Sequence, residues 1–186
     1  MYKTLAIAAL AASTAQAQVV WDEAIDGALS NDPAAPTDLG TFGAGGLIVR
    51  GSTLGPGTPP SDGFDVFEFD IAPGFEITSI ILSAYSPNDP FATSGFNFST
   101  GAAASEAGAT ILFGPGWGGA NVGQDLFSAG FPFPITSPLG ADTYFMEVRE
   151  FGGPQANWEL TFNVVPAPAS AALLGLGGLA AARRRR

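Results

Sequence analysis

The sequence predicts an all-β protein: a two-sheet β-sandwich of jelly-roll type with about eight strands, followed by a short C-terminal apolar helix. Three observations carry this. Short segments alternate apolar and polar residues with a period of two, most cleanly in Asn157 to Val164 (NWELTFNV). Turn formers are dense, with 25 Gly and 15 Pro in 186 residues, about 22% against a usual ~12% yet below the ~25–30% of disordered chains. Fifteen Phe are available to fill a core. No amphipathic helix stands out between the terminal segments, and no internal repeat is visible.

The chain divides into residues 1–17, a signal peptide; 18–46, an extended N-terminal segment; 47–164, the sandwich; and 165–186, an apolar tail. Lys3, the apolar stretch Leu5 to Ala12 and the small residues Ala15 and Ala17 predict cleavage before Gln18. Val19 to Gly40 has no sustained period and reads as a segment lying over the domain, pinned by Trp21. Leu47 to Gly51 is a first short strand, and Ser52 to Gly63 a turn-rich loop.

Phe64 to Ile71 (FDVFEFDI) is a half-buried strand with Phe67, Phe69 and Ile71 on its inner face and Val66, Glu68 and Asp70 on the other. Phe75 to Tyr85 is Ile-rich and more buried, with Ile80, Leu82 and Ala84 on the core face. Phe96 and Phe98 alternate with polar neighbours, Ala109 to Phe113 is a strand, and Val122 to Phe127 a further candidate. Gly114 to Gly119 (GPGWGG) reads as a loop, and Pro132 and Pro134 keep Phe131 and Phe133 out of a central strand. Asp142 to Glu150 places Tyr144, Met146 and Val148 on one face. Asn157 to Val164 does the same with Trp158, Leu160, Phe162 and Val164. The turn at Gly152-Gly153-Pro154 predicts that these two strands form a hairpin.

The formal charge of −10 understates the acidity of the body. Lys3 belongs to the signal peptide and Arg183 to Arg186 to the tail, which leaves Arg50 and Arg149 against all seventeen carboxylates, a charge of −15. Such a field excludes nucleic acid as a partner and favours cations. The chain has no Cys and no His, which removes disulfides, thiolate sites, the usual general base and the commonest zinc ligand.

At the C-terminus, Val165, Pro166, Ala167 and Pro168 lead into an apolar run from Ala169 to Ala182, closed by Arg183, Arg184, Arg185 and Arg186. At ~1.5 Å rise per residue the run spans roughly 21 Å, short of the ~30 Å hydrocarbon core. The arginines favour the cytoplasmic side, leaving the body outside the inner membrane. This order of signature, apolar helix and Arg cluster resembles the PEP-CTERM sorting tail of Gram-negative bacteria, in which Val-Pro-Glu-Pro is the usual signature and Ala167 here takes the place of Glu. The resemblance implies export by signal peptidase, transient tethering in the inner membrane, cleavage by an exosortase-type protease, and delivery to the cell surface or matrix in a setting of exopolysaccharide and biofilm. The strands DVFEFDIAPG, ITSIIL, DTYFMEVRE and NWELTFNV resemble the bacterial pre-peptidase C-terminal domain, a small β-sandwich of secreted proteins, which implies the same fold.

Chemistry-bearing motifs are sparse. Asp62, Asp65, Asn88 and Asp89 fall in loops or at strand ends where oxygens for calcium could converge, without an EF-hand or nonapeptide pattern. Gly43 to Gly46 and Gly114 to Gly119 lack the Lys-Ser or Lys-Thr of a phosphate loop and read as turns. Trp117 is a candidate for stacking on a sugar. A carboxylate-based glycosidase needs only two acids about 5–10 Å apart. Glu68 with Asp70, and Glu147 with Glu159 across the expected hairpin, are the pairs on offer, and both read as a solvated outer face. The expectation is an exported, non-enzymatic acidic protein without a cofactor. A carbohydrate- or calcium-binding accessory module is the alternative, and a carboxylate hydrolase ranks below it.

Overall fold

The computed structural model describes residues 17–53, 64–86, 93–114, 116–117, 119–129, 135, 137–152 and 155–168. In chain order the elements are β1 (Gln18–Asp22), α1 (Glu23–Asp26), β2 (Thr37–Phe42), β3 (Gly45–Thr53), β4 (Phe64–Ile71) and β5 (Phe75–Ser86). Then come β6 (Thr93–Thr100), β7 (Thr110–Phe113), β8 (Gly116–Trp117), α2 (Leu126–Ala129), β9 (Thr143–Gly152) and β10 (Ala156–Pro166), with a 3₁₀ turn at Gly119–Asn121. The C-terminal apolar helix and the first sixteen residues of the signal peptide lie outside the described residues.

The strands form a β-sandwich. One sheet is four-stranded with spatial order β1-β3-β10-β5; the other is six-stranded with order β2-β4-β9-β6-β7, β8 pairing with β6. The jelly-roll path is visible once β1, β2 and β8 are set aside. Strands β3, β4, β5 and β6 alternate between sheets, then β9 and β10 return to lie between β4 and β6 and between β3 and β5. Beside β5, where a further strand would close that pattern, the described residues make single bridges, Ile81 to Asp125 and Ile77 to Leu139.

Alternation explains which side chains face inward. Phe67, Phe69 and Ile71 of β4, Tyr144, Met146 and Val148 of β9, and Trp158, Leu160, Phe162 and Val164 of β10 are all buried in one core. Phe42 and Phe69 stack with centroids 4.4 Å apart, and Phe162 meets both edge-on at 5.6 and 5.0 Å. Phe98 joins them by stacking on Tyr144 at 5.2 Å.

Several sequence expectations are corrected. The predicted hairpin does not form: β9 lies in the six-stranded sheet and β10 in the four-stranded one. Each has neighbours on both sides, β4 and β6 for β9, β3 and β5 for β10, so the connection crosses between the layers. Ala84 is exposed, and Tyr85 faces inward instead. A bulge causes this, because the pairing with β10 skips Ser83 and the extra residue inverts the faces beyond it; a second bulge at Thr78 does the same between Ile77 and Ile80. Residues 18–46 do not lie over the domain: they supply a parallel edge strand to each sheet, β1 against β3 and β2 against β4. The Trp21 indole N–H donates within this same segment, to the Gly27 carbonyl at 3.2 Å, and Trp21 packs against the rim of the core. The first strand extends beyond Leu47 to Gly51 at both ends. Gly116 and Trp117 pair with Gly95 and Ser94, and Val122 to Phe127 holds a turn and the start of α2 where a strand was expected.

The registers define two ends of the sandwich. At the tail end, Gly45 is level with Val164, Phe75 with Pro166, and Phe42 with Ile71. At the opposite end, Thr53 is level with Ala156, Ser86 with Asn157, Phe64 with Arg149, and Thr93 with Gly152.

Candidate functional site

The residues of the two processing signals sit at the tail end. Gln18, where the mature chain is expected to begin, is the first residue of β1 and pairs with Leu47. Ala17 is exposed, and Ala15 lies outside the described residues. Val165 and Pro166 are the last residues of β10, level with Glu76 and Phe75. Pro166 has no N–H to give the ladder, and a strand terminus tolerates that loss. The next N–H, from Ala167, donates to the Gly74 carbonyl at 2.8 Å. Pro168 is exposed, and Arg183 to Arg186 lie outside the described residues.

The opposite end of the core closes with a polar layer that the sequence reading stopped short of. Asp65 continues the inward face of Phe67 and Phe69, is 1% exposed, and accepts the Trp158 indole N–H across the two sheets at 3.1 Å. Glu150 continues the face of Met146 and Val148, and accepts from Tyr85 Oη at 3.1 Å and Ser94 Oγ at 2.7 Å. Tyr85 and Ser94 are themselves 2.9 Å apart. Burial, reinforced by the Glu150 charge, pushes the Tyr85 phenol up to about 12. Extending the period-2 pattern by one step in each strand would have found both carboxylates. Trp158 also lies directly over Gly51, where a Cβ would come within 2.3 Å of the indole ring, so only glycine fits there.

Of the calcium candidates, Asp62, Asn88 and Asp89 lie outside the described residues, while Asp65 is a buried acceptor in β4 rather than an exposed loop oxygen. Among the described residues no three acidic side chains are grouped to hold a metal ion. The Glu147 and Glu159 pair does not exist, since the two belong to different sheets. Glu147 is on the outer face of β9 yet fully buried, because the β6–β7 connection folds over it. Ser105 donates to it from its N–H at 2.7 Å and its hydroxyl at 2.6 Å, and Arg149 Nη2 lies at 3.1 Å. Arg149 in turn covers the Phe64 ring at 4.6 Å.

Two hollows mark the outer faces. On the four-stranded sheet an open hollow of about 550 Å³ is lined by Asp22, Glu23, Arg50, Ser52, Asn157 and Glu159, among others. Arg50 is clamped between Glu159 at 2.7 Å and Asp22 at 3.3 Å, which raises the pKa of its guanidinium. Glu23 accepts from the Ser52 N–H and hydroxyl and from the Leu29 N–H, fixing α1 to β3. On the six-stranded sheet Asp38, Glu68, Asp70 and Thr143 line a smaller hollow of about 250 Å³. There partial burial, with repulsion from Asp38 and Asp70, raises the Glu68 pKa above the ordinary carboxylate value.

No protein-family model matches this chain, and no curated protein matches it. Among the described residues no helix is long and apolar enough to cross a membrane.

Proposed function

We propose that this chain is an exported, non-enzymatic acidic β-sandwich, a PEP-CTERM-type protein whose body resembles the bacterial pre-peptidase C-terminal domain. It is released from an inner-membrane tether by an exosortase-type protease to the cell surface or matrix, in a setting of exopolysaccharide and biofilm. The observation that carries this is the succession at the end of β10. The strand brings Val165 and Pro166 to the edge of the fold, and the sequence then runs directly into the apolar run and Arg183 to Arg186. Intact-mass analysis of the surface-delivered protein tests it. The expected protein begins at Gln18 and lacks Leu173 to Arg186; a species still carrying that peptide refutes the sorting function. Replacing the four arginines by Ser is expected to abolish the cut, and Ala167→Glu to improve it.

A carbohydrate-binding module is the second reading, supported by the hollow that presents Arg50, Asn157, Glu159 and Ser52 on the outer face of the four-stranded sheet. A glycan array with and without calcium tests it, and Arg50→Ala is expected to abolish any signal that depends on this hollow.

A further inference from the structure

We infer that the tail end of the sandwich, which carries Gln18, the turn between β2 and β3, the turn between β4 and β5, and Pro166, is the surface that the precursor lays against the membrane. The opposite end is then the face turned outward. This rests on the reading of the apolar run as a membrane tether, and adds to it an orientation.

The connection is too short for any other arrangement. Pro166 still belongs to β10, Ala167 is bonded to Gly74, and the apolar run starts at Ala169. Three residues reach no more than about 10 Å. The domain therefore cannot turn over on a flexible leash. The other apolar segment reaches the same end independently: the signal peptide runs into Gln18, β1 is parallel to β3, and β10 is antiparallel to it. With β3 between them, β1 and β10 lie about 10 Å apart. Before either cut, both apolar segments leave the same end of the same sheet, two strands apart.

The dimensions of the body fit this placement, while its charges oppose any contact that the tether does not impose. The eleven residues of β10 span roughly 35 Å, so the ends of β3 and β5 at Thr53 and Ser86 stand well away from the headgroups. Asp70, Glu76 and Asp142 mark the tail end. Both arginines of the body lie toward the other end, Arg50 level with Glu159 and Arg149 level with Phe64. An acidic end is repelled by anionic lipid. Contact is imposed by the tether alone and ends with cleavage.

The absence of Cys makes the test clean, since any introduced thiol is the only one. The full chain, reconstituted in phosphatidylethanolamine–phosphatidylglycerol vesicles, carries a fluorophore on Ala44→Cys at the tail end, or on Ser86→Cys or Gln155→Cys at the other. Quenching by a nitroxide on the lipid headgroup is expected to be several-fold stronger at position 44 than at 86 or 155. Circular dichroism confirms that each variant keeps its β-sheet. Equal or reversed quenching in protein that floats with the vesicles overturns the orientation and leaves the tether standing. Protein that fails to float overturns the tether, and the orientation with it.

Discussion

The two ends of the core are built from different materials. Toward the tail, Phe42, Phe69, Phe98 and Tyr144 form a continuous aromatic stack with Phe162 edge-on against it. At the opposite end the same inward positions carry Asp65, Tyr85, Ser94 and Glu150, with Trp158 bridging the two zones through Phe67 and Asp65. Rings tolerate small shifts, since their attraction is dispersive and summed over many contacts. A buried carboxylate is stable only while its donors are in place, so the polar layer fixes how the sheets are aligned more strictly than it adds stability.

The largest effects are expected from truncating the rings. Phe69→Ala should destabilise the fold by about 3–5 kcal/mol in chemical denaturation of residues 18–168. Trp158→Ala should fall in the same range, and a loss below ~1 kcal/mol would show that the inward face of β10 is not held as described. Trp158→Phe sharpens the comparison because it keeps most of the ring and deletes the N–H that Asp65 accepts. Its expected loss is about 1–3 kcal/mol, and a neutral result would mean that Asp65 is satisfied without it. Gly51→Ala acts on the same residue from behind. A Cβ within 2.3 Å of the indole forces the ring or β3 to move, at an expected loss of about 1–3 kcal/mol.

How far the sequence carried these assignments depends on what set each position. The inward faces of β4, β9 and β10 were legible because nothing interrupts their alternation. In β5 two bulges invert the pattern, and Ser83 and Thr78 carry no local mark of it. The β9 to β10 pairing was misread because alternation states which face is buried, never which sheet a strand joins. Strands β1 and β2 were missed because each is an edge paired on one side and neither alternates: β1 is five residues with Val19, Val20 and Trp21 in a row, and β2 is mostly Thr, Asp and Gly. Glu147 was assigned to solvent because its burial is due to a loop distant in sequence. At the candidate site, the order of Val165 to Pro168 before an apolar run was plain in the sequence. That β10 holds the first two of those residues was not.

Both ends of the core also respond to alkali, the polar layer through Tyr85. In the fold Tyr85 ionises only near 12, against an ordinary value of 10.0, chiefly because its phenol is buried. Below pH ~10 both states are protonated and the full stability is present. As pH rises from ~10 to ~12 the unfolded chain loses its proton first, so stability falls over that interval. Tyr144 is also pushed up to about 12, by burial first and Asp142 second, so both ends contribute to the alkaline slope. Tyr85→Phe is expected to flatten part of that slope in melts between pH 9 and 12, and an unchanged slope would assign it to Tyr144 alone.

The smallest effect is expected on the outer face, where Glu68 shares a hollow with Asp38 and Asp70. Its pKa is raised in the fold, first by partial burial and then by the two neighbouring charges. The protonated form is therefore favoured by folding. Below the ordinary carboxylate value Glu68 is protonated in both states and costs nothing. As pH rises from there toward the folded value, the unfolded chain ionises first and stability is lost, and the loss is complete above the folded value. Glu68→Gln should raise the melting temperature at pH 7 by a small amount and leave it unchanged at pH ~3, where the two side chains are equally neutral. Salt separates the causes: the repulsion from Asp38 and Asp70 is screened at ~1 M salt, whereas the desolvation of Glu68 is not. A gain that survives high salt assigns the effect to burial, and a gain that vanishes assigns it to the acidic neighbours. A lower melting temperature at pH 7 would mean that ionised Glu68 is held by favourable contacts, and would remove this hollow as a point of stored repulsion.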